Sequence, residues 1–545
     1  MAERGAFDLE ISEQNGADHT IERVPTGVTA FIGRTLKGPV NRPVAVRSFA
    51  QFQQRFGSLW QPSTLSYAVE QYFENGGRTA IIVRVANSAA PPSITLPAGG
   101  VAFRLIGVNP GTREYLRASV DYDGIAESEA DRFNLVVQRV RTPGTELIEE
   151  QEIFRRVSIE PGSQRFITDI LLESRLVRVH GAVPPKRPDR TRNQAGGPLA
   201  AYAHSNADGA DGQPITDYDL IGSANQSLGV FALKGTAFNL LCIPPLTRDQ
   251  DVGLSTLLVA AKFCRDQHAI LIVDPPMGWP TTPAAIEGMR AWPFQSENAV
   301  MYYPRVLAFD RLRNRHEIFG SSAAAAGMIA RSDESWPVWT AAEAEDSVLR
   351  PGLRPAVSIT DADRVKLAKG GINVLASVRS STRLTMSAVT LAAGHTCAPE
   401  WKYLPARRLA LFIMSSIERG TRWLLLKQNT PEFWRRAHDL VDEFLDALDQ
   451  DGAFAGGSPH ESYFVICDER VNTPKTIAEG KVNLLFGFAT IKPGDFHTCL
   501  VTHQPGNSRV RPVAVNRLAT SQQRVEWEIE TAIFPHGIHR SMRVD

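Results

Sequence analysis

Across 545 residues there are only five cysteines, Cys242, Cys264, Cys397, Cys467 and Cys499, and no two stand in a CxxC spacing. An odd, scattered set argues against a disulfide framework and fits reduced thiols in a reducing folding compartment. Net charge is also missing, since Lys+Arg and Asp+Glu each number 59. A neutral total offers no bulk attraction to nucleic acid or to anionic lipid. It also removes the self-repulsion that keeps copies of a chain apart. No segment approaches the roughly 18 uninterrupted apolar residues of a membrane span. The opening segment lacks the basic start and apolar run of a secretory signal.

The signatures of common chemistry are absent as well. There is no P-loop, no GxGxxG opening a helix after a strand, and no GxSxG elbow. His316-Glu317 and His460-Glu461 lack the second histidine that a zinc helix needs. Asp274 ends a predicted parallel strand, where an α/β enzyme often places a carboxylate. No base or nucleophile accompanies it, so a turn cap is the better reading. Asp208-Gly-Ala-Asp-Gly212 lacks the later glutamate of a calcium loop and reads as a turn. Pro459 after Ser458 removes an N–H that an oxyanion hole would use. The expectation is therefore no catalytic residue, no metal ligand and no cofactor.

What is present is ordinary globular material, 43% hydrophobic and 22% charged, too long for one core. Residues 28–32 and 80–85 read as buried strands around helices at 48–56 and 64–75, the first capped by Ser48 and the second stopped by Gly76-Gly77. From residue 86 to 215 the texture changes to short strands, as at 133–140 and 176–179, with Pro- and Gly-rich loops at 183–214. This section is expected to be an outward insertion of weak internal order. Strands at 239–243, 269–273 and 299–303 then alternate with helices at 247–266, bearing Asp249 and Asp251 in its first turn, and 283–292. That alternation predicts a largely parallel sheet covered by helices. Residues 404–503 alternate again, with helices at 407–419 and 431–449 and strands at 423–427, 463–467, 482–489 and 496–502.

Two amphipathic strands have no local partner in this reading. Phe7, Leu9 and Ile11 alternate with acidic residues near one end, and Val525, Trp527 and Ile529 do so near the other. Unpaired strands must find a sheet edge elsewhere. Arg407, Arg408, Arg419 and Arg422 lie on or just beyond an otherwise apolar helix, as a solvated rim or a partner-facing edge.

The ordered set of residues resembles the contractile tail sheath family. The first block is Val24-Pro-Thr-Gly-Val-Thr-Ala-Phe-Ile-Gly33, Gly38-Pro-Val, Ser48-Phe-Ala-Gln-Phe52, Asn75-Gly-Gly-Arg78 and Val83-Arg-Val85. Gly209-Ala-Asp-Gly212 and Asn239-Leu-Leu-Cys-Ile-Pro244 carry the middle. Ser416-Ile-Glu-Arg-Gly420, Phe433-Trp434, Gly452-Ala-Phe and Phe464-Val-Ile-Cys-Asp468 carry the end. Departures fall at Phe319-Gly-Ser-Ser, at Met386-Ser-Ala-Val-Thr390 and in the start Ala6-Phe-Asp-Leu-Glu-Ile11.

The resemblance implies a multidomain α/β and α+β chain: a common α/β core, a β-rich peripheral insertion and extended terminal β-strand arms. The expected divisions are an N-terminal arm (1–23), the first part of the core (24–88), the insertion (89–215), an α/β sheath domain (216–400), a C-terminal α/β domain facing an inner tube (401–505) and a C-terminal arm (506–545). It further implies a structural subunit of a virion tail or phage-tail-like particle, assembled in the bacterial cytoplasm and not an enzyme. Its partners would be further copies in a helix, an inner tail tube protein, and baseplate and terminator proteins, with neither nucleic acid nor membrane. Phe7, Leu9, Ile11, Val525, Trp527 and Ile529 would then pair between subunits, and Arg407, Arg408 and Arg419 would face the tube. The alternatives are a baseplate or sheath-terminating component sharing the same core, or an α/β hydrolase using Asp274.

Overall fold

The structure is a computed structural model that describes residues 20–144, 147–191, 201–340, 347–378, 381–384, 388–392, 399–426, 429–505, 507–518, 526–530 and 541–542. Continuous apolar runs such as Ala80–Arg84, Ile270–Val273 and Ala299–Tyr303 become strands buried along their whole length. Such runs need cover on both faces, which a helix-flanked parallel sheet supplies. The sheet has eight strands in the order Ser381–Leu384, Ile372–Val378, Ala299–Tyr303, Ile270–Val273, Leu240–Cys242, Thr29–Gly33, Ala80–Arg84 and Val44–Val46. The six inner strands pair in parallel and the two outer ones antiparallel. The chain steps from Thr29–Gly33 to one side, then returns to build outward on the other. That is a doubly wound sheet with its switch between Thr29–Gly33 and Leu240–Cys242.

Local signals explain the covering helices. Ser48 Oγ accepts from the Gln51 amide at 3.2 Å and starts Phe49–Phe56. Leu65–Glu74 packs against Ser322–Ser335, where a Cβ on Gly327 would strike the Tyr72 carbonyl. The helix expected at 247–266 begins later, at Leu254. Its first turn is held from a distance by Asp217, which accepts from the Gly253 amide at 2.7 Å and the Thr256 hydroxyl at 2.6 Å. Asp251 is instead committed to Arg305 and the Met277 amide, so it does not cap that helix.

The section from Ser93 to His204 folds as two antiparallel sheets. One holds Ser93–Ala98, Val101–Gly107 and Val177–His180; the other holds Ala203–His204, Leu116–Asp121, Arg132–Val140 and Ile148–Ser158. Phe103, Phe133, Leu135, Val137 and Leu171 are fully buried between them, so the expected weak internal order is corrected. The described part of the supposed loop 183–214 is also tied down. The Asp189 amide donates to Pro97 O at 2.7 Å, and Arg187 lies 3.6 Å over Tyr122.

The chain divides into two compact units, residues 25–407 and residues 408–545 with residues 1–24. In the second, Pro431–Gln450 buries Trp434, Val441, Leu445 and Leu448. The four-stranded antiparallel sheet runs Tyr463–Ile466, Val482–Ala489, Phe496–Gln504, Asn507–Pro512. The expected strand at 423–427 is a 3-10 helix, Arg422–Leu426, because the Leu424 amide bonds back to Thr421 O at 3.1 Å. Within this unit Arg23 pairs with Asp451, and the Val24 amide donates to Ser416 Oγ at 3.3 Å.

Candidate functional site

The natural place for chemistry is the C-terminal edge of the parallel sheet. Asp274 stands there, at the end of Ile270–Val273. Its two oxygens accept from the Ser322 amide at 2.8 Å and the Ser322 hydroxyl at 2.9 Å. Burial pushes its carboxyl above the usual range, with Arg305 and these two bonds opposing. A cavity of about 230 Å³ opens beside it, lined largely by Ile243, Val252, Leu257, Val273 and Trp292. Asp251 also borders that cavity, and its oxygens too are spoken for, by Arg305 and the Met277 amide. Both carboxylates therefore serve as caps and struts. Among the described residues no group of three or more His, Cys, Asp or Glu side chains could hold a metal ion. None of their helices is long and apolar enough to cross a membrane.

The other motifs are structural. Asp211 accepts from the Thr112 amide at 2.7 Å and hydroxyl at 2.8 Å, while Asp208 accepts from the Ser93 amide at 2.8 Å. Gly212, at φ +74, would drive a Cβ into the Asn87 carbonyl. The Asp208–Gly212 stretch thus clasps the two chains that enter and leave the inserted sheets, where Ala90 bridges Ala210 and Asn87 bridges Gln213. Ser458 and Pro459 only open a one-turn helix, Pro459–Ser462.

The helix Leu404–Gly420 carries the arginines singled out above. Arg407 is 5% exposed; its guanidinium donates to Asn298 Oδ1 at 2.6 Å and lies 4.6 Å over the Trp401 ring. It is an internal strut, which corrects its assignment to a tube-facing edge. Arg408 is half-buried, and Arg419 is exposed. Arg422 is exposed and pairs with Glu418 at 3.1 Å.

Phe7, Leu9, Ile11 and Val525 lie outside the described residues. Trp527 and Ile529 belong to the strand Glu526–Glu530, which pairs antiparallel with Ala514–Leu518 on one side and Ser541–Met542 on the other. That strand has partners within its own chain, so the reading of it as an orphan is corrected.

Known proteins place this architecture. No protein-family model matches the chain. The sheath tail protein of Listeria innocua superposes with a TM-score of 0.59 at 10% identity, covering 90% of this chain and 97% of that one. The fold is that of a tail sheath protein. The sheath of an extracellular contractile injection system in its contracted state gives a TM-score of 0.50 at 18% identity, over 91% and 96% of the two chains. A protein assigned as a prophage major tail sheath protein of Pseudomonas aeruginosa (strain UCBPP-PA14) is 23% identical over 311 residues, 56% of this chain and 76% of that one.

Within this sheath fold the most developed polar networks are ones that pattern reading missed. Lys37 pairs with Glu149 at 2.6 Å, both side chains under a tenth exposed. Glu114 accepts from Arg139 at 2.8 Å and from the Gly38 amide at 3.2 Å. Arg84 donates to Gly38 O at 2.6 Å and Pro110 O at 2.8 Å, and burial lowers its pKa to about 10 against the pull of Glu114 and Asp211. These bonds weld the inserted sheets to the parallel sheet. A lone charge in such a place would be costly, but each one here has a partner. The signal was available only in part: Glu114, Arg139 and Glu149 occupy strand positions where solvated charge was the simpler reading.

Proposed function

We propose that this chain is the structural subunit of a contractile tail sheath, polymerising helically around an inner tube and contracting to drive that tube through a target envelope. The observation that carries the reading is a sheath fold spanning about nine-tenths of the chain, with both lengths nearly matched. The commitment of Asp251 and Asp274 to capping supports a structural role over a hydrolytic one. In this reading the partners are further copies, the tube protein, and baseplate and terminator proteins. Its setting is a phage tail or phage-tail-like particle. The N-terminal segment around Phe7, Leu9 and Ile11 supplies a strand to a neighbouring subunit's sheet edge, and Arg419, with Arg408 about three turns earlier on the same helix, faces the tube. Contraction then repacks rigid bodies joined by such flexible links, and the extended form persists as a kinetically trapped state.

The deciding experiment is negative-stain microscopy of the purified protein. Long hollow tubes are expected. Small closed rings would favour the second reading, a baseplate or terminating component; that reading has one observation behind it, a TM-score of 0.50 at 17% identity to a chain of the anti-feeding prophage baseplate. Single particles at all concentrations would refute both.

A further inference from the structure

A hairpin, Val306–Asp310 and Arg315–Phe319, is extended at one edge by the short strand Arg354–Pro355, and its two faces differ sharply. Its register pairs Val306 with Phe319, Leu307 with Ile318, Phe309 with His316 and Asp310 with Arg315. Alternation therefore puts Val306, Phe319 and Asp310 on the inner face and Leu307, Ile318, Phe309 and His316 on the outer. The inner three are buried, whereas Phe309 is 51% and Ile318 55% exposed. The Phe309 and His316 rings touch edge to face at 5.6 Å. At the turn Leu312 is also half exposed, between Arg311 and Arg313.

This exposed ribbon is held rigid from below. Asp310 is fully buried and accepts from Arg248 at 2.7 Å, from the Tyr67 hydroxyl at 3.2 Å, and from the Leu312 and Arg313 amides at 2.8 and 3.3 Å. The Arg248 guanidinium lies over the adjoining Tyr67 and Phe319 rings at 4.5 and 4.6 Å. A buried charge network that fixes a turn contributing nothing to the core makes sense if the turn is a pre-organised contact surface.

We propose that the outer face of this hairpin is an inter-subunit contact, and that its occupant is the acidic side of the Pro431–Gln450 helix on a second copy of the chain. The inference rests on the sheath reading. A head-to-tail helical polymer needs two different, complementary patches on each chain, and a neutral chain can supply oppositely charged ones by segregating its charge. The hairpin tip concentrates Arg311, Arg313 and Arg315 in five residues. Arg311 pairs with both Glu70 and Glu74, whereas Arg313 and Arg315 share the single Glu317, so the excess positive charge lies at Arg313 and Arg315. Along the helix, Asp439, Asp442, Glu443 and Asp446 recur at three- and four-residue spacing and form one anionic stripe. Charge sets the register of such a contact, while Phe309 and Ile318 supply the apolar area at its centre.

The test is a charge swap in the full chain under conditions where the wild type forms tubes; a wild type that forms none would count against the sheath reading itself, not this contact. Arg313→Glu with Arg315→Glu should raise the critical concentration for assembly at least about tenfold, one decade being 1.4 kcal/mol, with unchanged thermal melting. Asp439→Lys with Glu443→Lys should do the same, and combining all four in one chain should restore tubes. Phe309→Ser with Ile318→Ser gives an independent reading, because both face outward and fold retention is expected; it too should suppress assembly. Wild-type assembly by the serine variant overturns the contact. Failure of the four-fold swap to rescue overturns the choice of occupant.

Discussion

His503 gives the second unit a calculable weakness to acid. It lies on Phe496–Gln504, is almost wholly buried, and has each ring nitrogen 2.8 Å from a hydroxyl, Nε2 from Thr421 Oγ1 and Nδ1 from Ser508 Oγ. The Thr421 hydroxyl already donates to Ile417 O at 2.6 Å, so it can only accept from His503. The neutral Nε2–H tautomer is thereby assigned, with Nδ1 accepting from Ser508. Burial, with a lesser push from Arg422, lowers the pKa from 6.5 to about 4. A base whose pKa falls on folding takes up its proton more readily when unfolded, so stability is fully present above about 6.5 and drains away as pH falls toward 4. The whole shift corresponds to about 3 kcal/mol, of which about 2.5 kcal/mol is lost between pH 7 and pH 4.5. Hydrogen exchange at the Val482–Ala489 and Phe496–Gln504 amides, converted to opening free energies, reads this locally. Carboxylates elsewhere also titrate, so the decisive quantity is the difference from His503→Gln, which keeps one donor and one acceptor but cannot charge. The wild type should lose stability with acid more steeply than the variant by that amount. Parallel profiles would refute the assignment of a buried neutral histidine.

Three further outcomes follow from the geometry. Asp310→Asn leaves Arg248 buried without its counter-charge, and should lower the stability of the first unit by about 3–5 kcal/mol in denaturant titration; a loss under 1 kcal/mol would show that water or another group compensates Arg248. Deleting residues 1–20 should leave melting unchanged while abolishing tubes, because an arm contributes a strand to a neighbour and nothing to the core; normal tubes from the truncated chain would end the strand-exchange reading. Arg419→Glu should fold normally and form sheaths that are empty or already contracted when the tube protein is present, since each exposed charge pair is worth only about 0.2–1 kcal/mol but repeats with every subunit; a lowered melting temperature of the isolated subunit would make Arg419 structural instead.

The parts of this fold legible in the sequence were those where one physical rule acts alone. Ala80–Arg84, Ile270–Val273 and Ala299–Tyr303 could be read as parallel strands because burial on both faces removes every polar residue but an occasional terminal one. Ser48 could be read as a cap because its partner, Gln51, lies only three residues away. Misreadings occurred where a distant residue decides. Asp251 has the composition of a first helical turn, yet Arg305 and Met277 claim it and Asp217 caps the helix in its place. Trp423 to Leu426 is an apolar run too short for periodicity to separate strand from helix, and it winds as a 3-10 turn after Gly420. The same limit acted on the candidate site: helical spacing grouped Arg407 with Arg408 and Arg419, but Asn298 and Trp401, more than a hundred and only six residues away respectively, draw Arg407 inward.

Charge was the property that misled most, and for one reason. Pattern reading treats a charged residue as a vote for solvent, and in the inserted section that vote predicted weak order. Glu114, Arg139, Glu149 and Lys37 are instead buried with one another where the insertion meets the parallel sheet. A chain with 59 residues of each sign can neutralise charge pair by pair in its interior. What such pairing buries, it also removes from the surface count, so the charges left outside need not be evenly mixed. Asp310 shows the link directly: its buried carboxylate cancels Arg248 and, in the same stroke, holds up a turn whose own arginines point outward. Interior pairing in this chain therefore does more than stabilise. It fixes where surface charge is displayed, which a subunit needs if neighbours are to recognise it in one register.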